Sequence, residues 1–196
     1  MNVVLFGKIM DLDSALVFLE WSSVLLNVVF ILLLTKEKAI CWLFGIMGSL
    51  SGSVLFFYQN YYSESILYLF YAIVGLYAWI LWTKPKSHLV VKRIKGIATA
   101  LLVGLGLVVT LILGRLGDLF NGDKPYFDAF STAFGIIATF LEMYKYLSAW
   151  VYWIVLNLFS IWLYGIKGLW VYAALMLVYA VLSVNGFVQW RKKLQK

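Results

Sequence analysis

Long apolar stretches, separated by short polar ones, set the pattern of this chain. Seven of them lie near residues 15–35, 39–58, 65–83, 96–114, 128–147, 148–166 and 168–190. A helix of roughly 20 apolar residues crosses the ~30 Å hydrocarbon core of a bilayer. The pattern predicts an all-α polytopic membrane protein with seven transmembrane helices. The connections between the third and fourth runs and between the fourth and fifth are each about a dozen residues. The others are only a few residues, which makes the helices they join antiparallel neighbours. The fourth run, Gly96–Gly114, carries no charge and only Thr as a polar residue, as expected of a connector helix facing lipid and other helices.

Polar and aromatic side chains inside these runs keep helical spacing. Trp150, Trp153, Asn157, Ser160 and Tyr164 follow one another at intervals of 3, 4, 3 and 4, which puts them on one helix face. Tyr61, Ser65, Tyr68, Gly75, Trp79 and Trp82 stripe the third helix, and Tyr172, Tyr179, Ser183, Gly186 and Trp190 the seventh. Asp128, Thr132, Gly135, Thr139 and Glu142 line the fifth. Glu20, Ser23 and Asn27 share a face of the first, and Trp42, Ser49 and Ser53 a face of the second. Trp79, Trp82 and Trp190, near helix ends, read as interface-belt residues. Gly45, Gly48 and Gly52 read as a helix-packing surface.

Asn157 is different, because an amide without a partner in hydrocarbon costs several kcal/mol. It must face protein or a wet cavity, and Trp153 and Ser160 share its side. Glu20 is the clearest ionisable residue inside a span, and such residues mark functional sites by default; its plainer role is as a buried partner for a neighbouring Tyr or Trp. Asp128 is expected at the outer end of the fifth helix, where it can act as N-cap. Glu142, close to Lys145, is expected to form a local ion pair.

Composition sharpens the membrane reading. The chain has 196 residues, 64% hydrophobic and 13% charged, against ~45–50% and ~25% in soluble domains. So short a chain cannot hide that much apolar surface from water. It reads as one membrane domain over residues 1–196: three helices (about 15–83), a linker helix (96–114) and three more (about 128–190). The net charge of +7 is spread between apolar runs rather than gathered in a patch, which argues against nucleic-acid binding. Twelve Lys and Arg fall on the side that holds the C-terminal tail, and four on the other. The positive-inside rule then places the N-terminus outside and the C-terminus in the cytoplasm. The start of the chain lacks the basic region, short apolar core and small-residue cleavage site of a signal peptide, so the first helix is expected to be retained.

The chain also repeats itself. Shifted by 111 residues, Trp42–Trp79 lies over Trp153–Trp190 without a gap. The identical pairs are Trp42 with Trp153, Ser49 with Ser160, Tyr61 with Tyr172, Tyr68 with Tyr179, Gly75 with Gly186, and Trp79 with Trp190. An odd linker helix between two three-helix units gives both the same orientation. This is the parallel-repeat arrangement of some transporters, whose substrate site lies near mid-membrane between the halves.

Several chemistries have no visible equipment. There is no phosphate-binding G-x-x-x-x-G-K-[ST] loop, no H-E-x-x-H and no G-x-S-x-G. One histidine, His88 in a basic loop, and one cysteine, Cys41, cannot build a metal site or a disulfide. Cys41 reads as a small buried apolar residue. A transporter without cofactor or metal, and not an enzyme, is the expectation.

At these residues the chain resembles the PnuC family of vitamin transporters. The similar features are W-x-x-W-x-x-x-N at Trp150, Trp153 and Asn157, Glu20-Trp21, Phe127-Asp128, Lys145-Tyr146, and Asn185-Gly186 with Trp190. They run in order from about Leu12 to Trp190. The resemblance implies a 3+1+3 architecture related to the SWEET sugar transporters, a homotrimer in the cell membrane, and facilitated diffusion of nicotinamide riboside with trapping by a cytoplasmic kinase. It implies that Trp150, Trp153 and Asn157 line the substrate site. Ser160, Tyr68, Tyr179, Trp42, Glu20, Asn27, Asp128 and Thr132 are the further candidates on the stripes. Riboside carriers of this family tend to have Gln where this chain has Tyr68. Relatives of similar fold are associated with thiamine, riboflavin or deoxynucleosides, which stand as alternative solutes; proton coupling through Glu20 is an alternative mechanism.

Overall fold

A computed structural model describes residues 2–5, 8–58, 62–84, 89–119, 124–166 and 170–194. His88 and Tyr61, and the side chain of Tyr172, lie outside the described residues. Among the described residues the one sheet is an N-terminal hairpin, in which β1 (Asn2–Leu5) pairs antiparallel with β2 (Lys8–Asp11). The hydrophobic pattern did not predict that hairpin, whose strands have only four residues each. Seven helices follow: α1 (Leu12–Thr35), α2 (Cys41–Tyr58), α3 (Tyr62–Thr83), α4 (Gly96–Leu119), α5 (Pro125–Met143), α6 (Ser148–Ile166) and α7 (Trp170–Lys193).

Six of the seven are long and apolar enough to cross a membrane; α5 is not among them. Its 19 residues include Asp128 and Glu142 besides Ser131, Thr132 and Thr139, and these lower its hydropathy. Ten of its residues are buried, because it packs between α4 and α6. The α4–α5 connection is also shorter than the pattern suggests. The α4 helix runs on through Arg115 and Asp118 to Leu119, and α5 begins at Pro125.

The helices form two compact units, Met1–Ser87 and His88–Lys196. In the first, α2 packs against both α1 and α3. Small residues let the backbones close in. A Cβ on Gly45 would meet the Phe30 ring at 3.0 Å, one on Gly48 the Asn27 amide at 2.9 Å, and one on Gly52 the Tyr68 ring at 2.5 Å. The packing role read for these three glycines is the one observed. Across α2 and α3, Ser53 donates to the Ser65 carbonyl at 2.9 Å and Ser65 to the Ser53 carbonyl at 2.8 Å. Such reciprocal bonds satisfy polar groups that lipid cannot. Cys41 is fully buried.

In the second unit, α5 packs on α4 and α6, and α7 packs on α6. Every fourth residue of α4 from Gly106 (Gly106, Thr110, Gly114) is buried, while most of its Leu, Ile and Val side chains stay exposed. This matches the one-sided contact expected of a lipid-facing helix. The Phe134 ring lies over Gly106 and Tyr126 over Gly114. Lys124, in a left-handed conformation (φ 54°), caps α5, and Pro125 opens it. Asp128 therefore sits in the first turn rather than at the N-cap, correcting the sequence expectation: proline already supplies the start. After α5, Lys145 turns through φ 57°, and Lys92 pairs with Tyr146 in a parallel bridge that pins the segment before α4 to the α5–α6 turn.

Candidate functional site

The α6 stripe folds as its spacing predicts, but its members have different surroundings. Trp150 is 1% exposed. Its ring covers Gly186 of α7 and meets Trp190 edge-on, centroids 5.3 Å apart. Trp190 is fully buried rather than placed at an interface belt, so the α6–α7 contact claims both indoles. Asn157, also buried, donates from Nδ2 to the Ser183 hydroxyl at 3.3 Å, and Ser183 donates to the Tyr179 carbonyl at 2.8 Å. No described residue bonds the Asn157 carbonyl oxygen. Ser160 and Tyr179 are partly buried on the same two helices.

Trp153 is partly buried against Ala133, Phe134, Ala138 and Leu156. Its indole N–H donates to Glu142 Oε2 at 2.6 Å. Glu142 is 3% exposed and its side chain has no other partner among the described residues. The ion pair expected between Glu142 and Lys145 is therefore corrected. The left-handed turn at Lys145 leaves only its backbone N–H on the Glu142 carbonyl, while the carboxyl points across to α6. Spacing along one helix hid this contact, which only the packing of α5 on α6 creates. The signal available in sequence was that Glu142 shares a face with Thr139 and Gly135, a face buried in the structure.

Of the other α5 candidates, Asp128 is exposed and Thr132 partly buried. Aromatic rings surround that end of α5: Phe127 and Phe130 both stack near Phe159, at 6.0 and 5.0 Å between centroids.

In the first unit, Ser23 donates to the Gly48 carbonyl at 2.9 Å, and Asn27 donates to the Ser23 carbonyl at 2.9 Å. The first bond ties α1 to α2; the second lies within α1. Trp42 is 3% exposed, between Phe30 and Trp82 at 5.4 and 5.6 Å, with its buried Nε1 unpartnered. Tyr68 covers Gly52 and packs on Phe56. Glu20 is partly buried. Hence Trp42, Asn27 and Tyr68 lie in the first unit, and Trp153, Asn157, Ser160 and Tyr179 in the second.

Among the described residues, a cleft of about 290 Å³ opens in the second unit, lined by Arg93, Ile94, Leu147, Ser148, Val151, Phe187 and Arg191. None of the sequence-predicted site residues lines it.

Comparison with known proteins decides the family. Residues 17–192 match the family model described as Nicotinamide mononucleotide transporter. The chain belongs to this family. Among curated proteins it is 20% identical over 187 residues to the nicotinamide riboside transporter PnuC of Escherichia coli (strain K12), covering 81% of this chain and 78% of that one. The figures are the same for the PnuC of Shigella flexneri. The fold is similar to that in the crystal structure of the vitamin B3 transporter PnuC: TM-score 0.75 at 20% identity, over 91% of this chain and 82% of that one. The chain is accordingly a multi-pass membrane transporter of the nicotinamide mononucleotide transporter family. The resemblance read from Trp150, Trp153 and Asn157 led to the same family.

Proposed function

We propose that this transporter carries nicotinamide riboside by facilitated diffusion, with Trp153 and Asn157 meeting the solute. The observation that carries the reading is the side-chain oxygen of Asn157, a residue 7% exposed in α6: it has no hydrogen-bond partner among the described residues and lies one turn from Trp153. An amide oxygen accepts from ribose hydroxyls or a carboxamide, and an indole face stacks a flat heteroaromatic ring. Ser160 and Tyr179 add hydroxyls nearby. Trp150, sealed under Gly186, holds α6 to α7 behind them.

The family description names a mononucleotide and the relatives a riboside, and the charge pattern favours the riboside. From Pro125 to Met143, from Ser148 to Ile166 and from Trp170 to Trp190 there is no Lys or Arg. A phosphate taken out of water needs cations and hydrogen-bond donors around it. An interior of α5–α7 without Lys or Arg suits a solute without one.

The wider reading keeps two three-helix units joined by α4, a SWEET-like 3+1+3 plan supported by the sequence repeat. It also keeps a homotrimer, a cytoplasmic C-terminus supported by the Lys and Arg distribution, and a cytoplasmic kinase that traps the riboside. A thermal-shift panel of the purified protein tests the solute, since a ligand that binds only the native state raises its melting temperature. Nicotinamide riboside is expected to stabilise, and nicotinamide mononucleotide, thiamine, riboflavin and deoxynucleosides are not. Uptake into proteoliposomes is expected to follow the riboside gradient and to ignore an imposed proton gradient. Proton-driven accumulation lost in Glu20→Gln would replace facilitated diffusion with coupled transport.

A further inference from the structure

A buried carboxyl group demands an explanation, because removing it from water is costly unless its partners are good. Glu142 sits in the last turn of α5 at 3% exposure, and its single side-chain partner among the described residues is the Trp153 N–H, at 2.6 Å. That separation is at the short end for an N–H···O bond. Satisfying the indole is not a sufficient reason for the acid. Trp42 and Trp150 are each more buried than Trp153, and their Nε1 atoms have no partner among the described residues. This fold tolerates an unbonded indole N–H, yet it places a carboxyl against Trp153, whose side chain, unlike those of Trp42 and Trp150, is only partly buried.

The consequence for the ring is geometric. A partly buried indole packed against Ala133, Phe134, Ala138 and Leu156 can still swing about its side-chain torsions. A strong hydrogen bond at its edge removes that freedom. It also uses the only hydrogen-bonding group of the ring, so what remains to offer is the π face.

We infer that Glu142 is a positioning residue for solute recognition: it holds the Trp153 indole by its N–H so that the ring presents a fixed stacking face and no hydrogen-bond donor. The inference rests on the reading that Trp153 meets the solute. It makes the tryptophan selective for flat aromatic rings, and leaves ribose hydroxyls to Asn157 and Ser160.

The test is uptake of nicotinamide riboside into proteoliposomes, with rates normalised to inserted carrier. Glu142→Leu removes the acceptor and is expected to raise KM about tenfold with the maximal rate nearly unchanged. Glu142→Gln keeps an acceptor oxygen and is expected to stay within about twofold of the parent. Trp153→Phe removes the donor and raises KM. In its background Glu142→Leu should add nothing, because residues acting through one contact are not additive. Should Glu142→Leu fail to insert, Glu142→Met, apolar and of similar length, carries the same comparison. The inference is overturned if Glu142→Leu leaves KM unchanged while Trp153→Phe raises it. It is equally overturned if the glutamate substitution keeps its full effect without the indole N–H, or if Glu142→Gln is as impaired as Glu142→Leu. An unchanged KM in Trp153→Phe instead removes Trp153 from the site, a separate failure of the functional reading.

Discussion

Asn157 and Ser183 face each other across α6 and α7, amide nitrogen to hydroxyl at 3.3 Å, with the amide oxygen left over. The bond anchors the amide, and the free oxygen gives it a use. Asn157→Leu is expected to lower riboside uptake at least tenfold while the protein still inserts and elutes as the parent does. Uptake at parental levels, measured with radiolabelled riboside in proteoliposomes, removes Asn157 from the site.

Gly186 has no room for a side chain. A Cβ there would lie 2.5–2.6 Å from the Trp150 ring, and that ring is wedged against Trp190. Gly186→Ala should destabilise by about 1–3 kcal/mol, the usual cost of overpacking. Gly104 on α4 has nothing within 4 Å, so Gly104→Ala should leave the melting temperature in detergent within about a degree of the parent or raise it slightly, since Ala is the better helix former by about 1 kcal/mol.

Ser53 and Ser65 form a reciprocal pair between α2 and α3, with their hydroxyls 3.1 Å apart. Each single Ser→Ala change should cost about 0.6 kcal/mol, the typical worth of an interhelical bond in a membrane bundle. The double change should cost less than the sum, because each hydroxyl is the other's neighbour. A full cycle of denaturation midpoints in mixed micelles measures the coupling; strict additivity would mean the two hydroxyls act alone.

Lys124 holds a left-handed backbone (φ 54°) at the start of α5. A side chain there costs roughly 1–2 kcal/mol that glycine avoids, less the greater freedom glycine has when unfolded. Lys124→Gly should therefore raise stability by a few tenths to about 1 kcal/mol, read as a higher melting temperature with unchanged uptake.

The repeat shows where reading by alignment stops. The glycine pair holds: Gly75 and Gly186 each accept a close neighbour from the preceding helix, Ile46 at 3.0 Å and the Trp150 ring at 2.5 Å. The tryptophan pair does not keep one environment. Trp42 is sealed among Phe30 and Trp82, whereas its aligned mate Trp153 is partly open and bonded to Glu142. In the second unit, Trp150, one turn earlier, takes the sealed place, T-stacked on Trp190 as Trp42 is on Trp82.

The number, length and rough ends of the helices were legible in the order of residues, because the bilayer core demands apolar runs of about 20 residues whose backbone bonds close within the helix. So were the small-residue packing face of α2 and the stripe that carries Asn157, both consequences of the 3.6-residue turn. What one helix gives another was decided by the tertiary structure. Glu142 reaches Trp153 on α6 rather than Lys145 three residues on, Ser183 rather than solvent meets Asn157, and Trp150 turns under Gly186. Periodicity says which face a residue occupies; which neighbour waits at that face depends on how the helices pack in space, and the hydrophobic pattern carries no record of that.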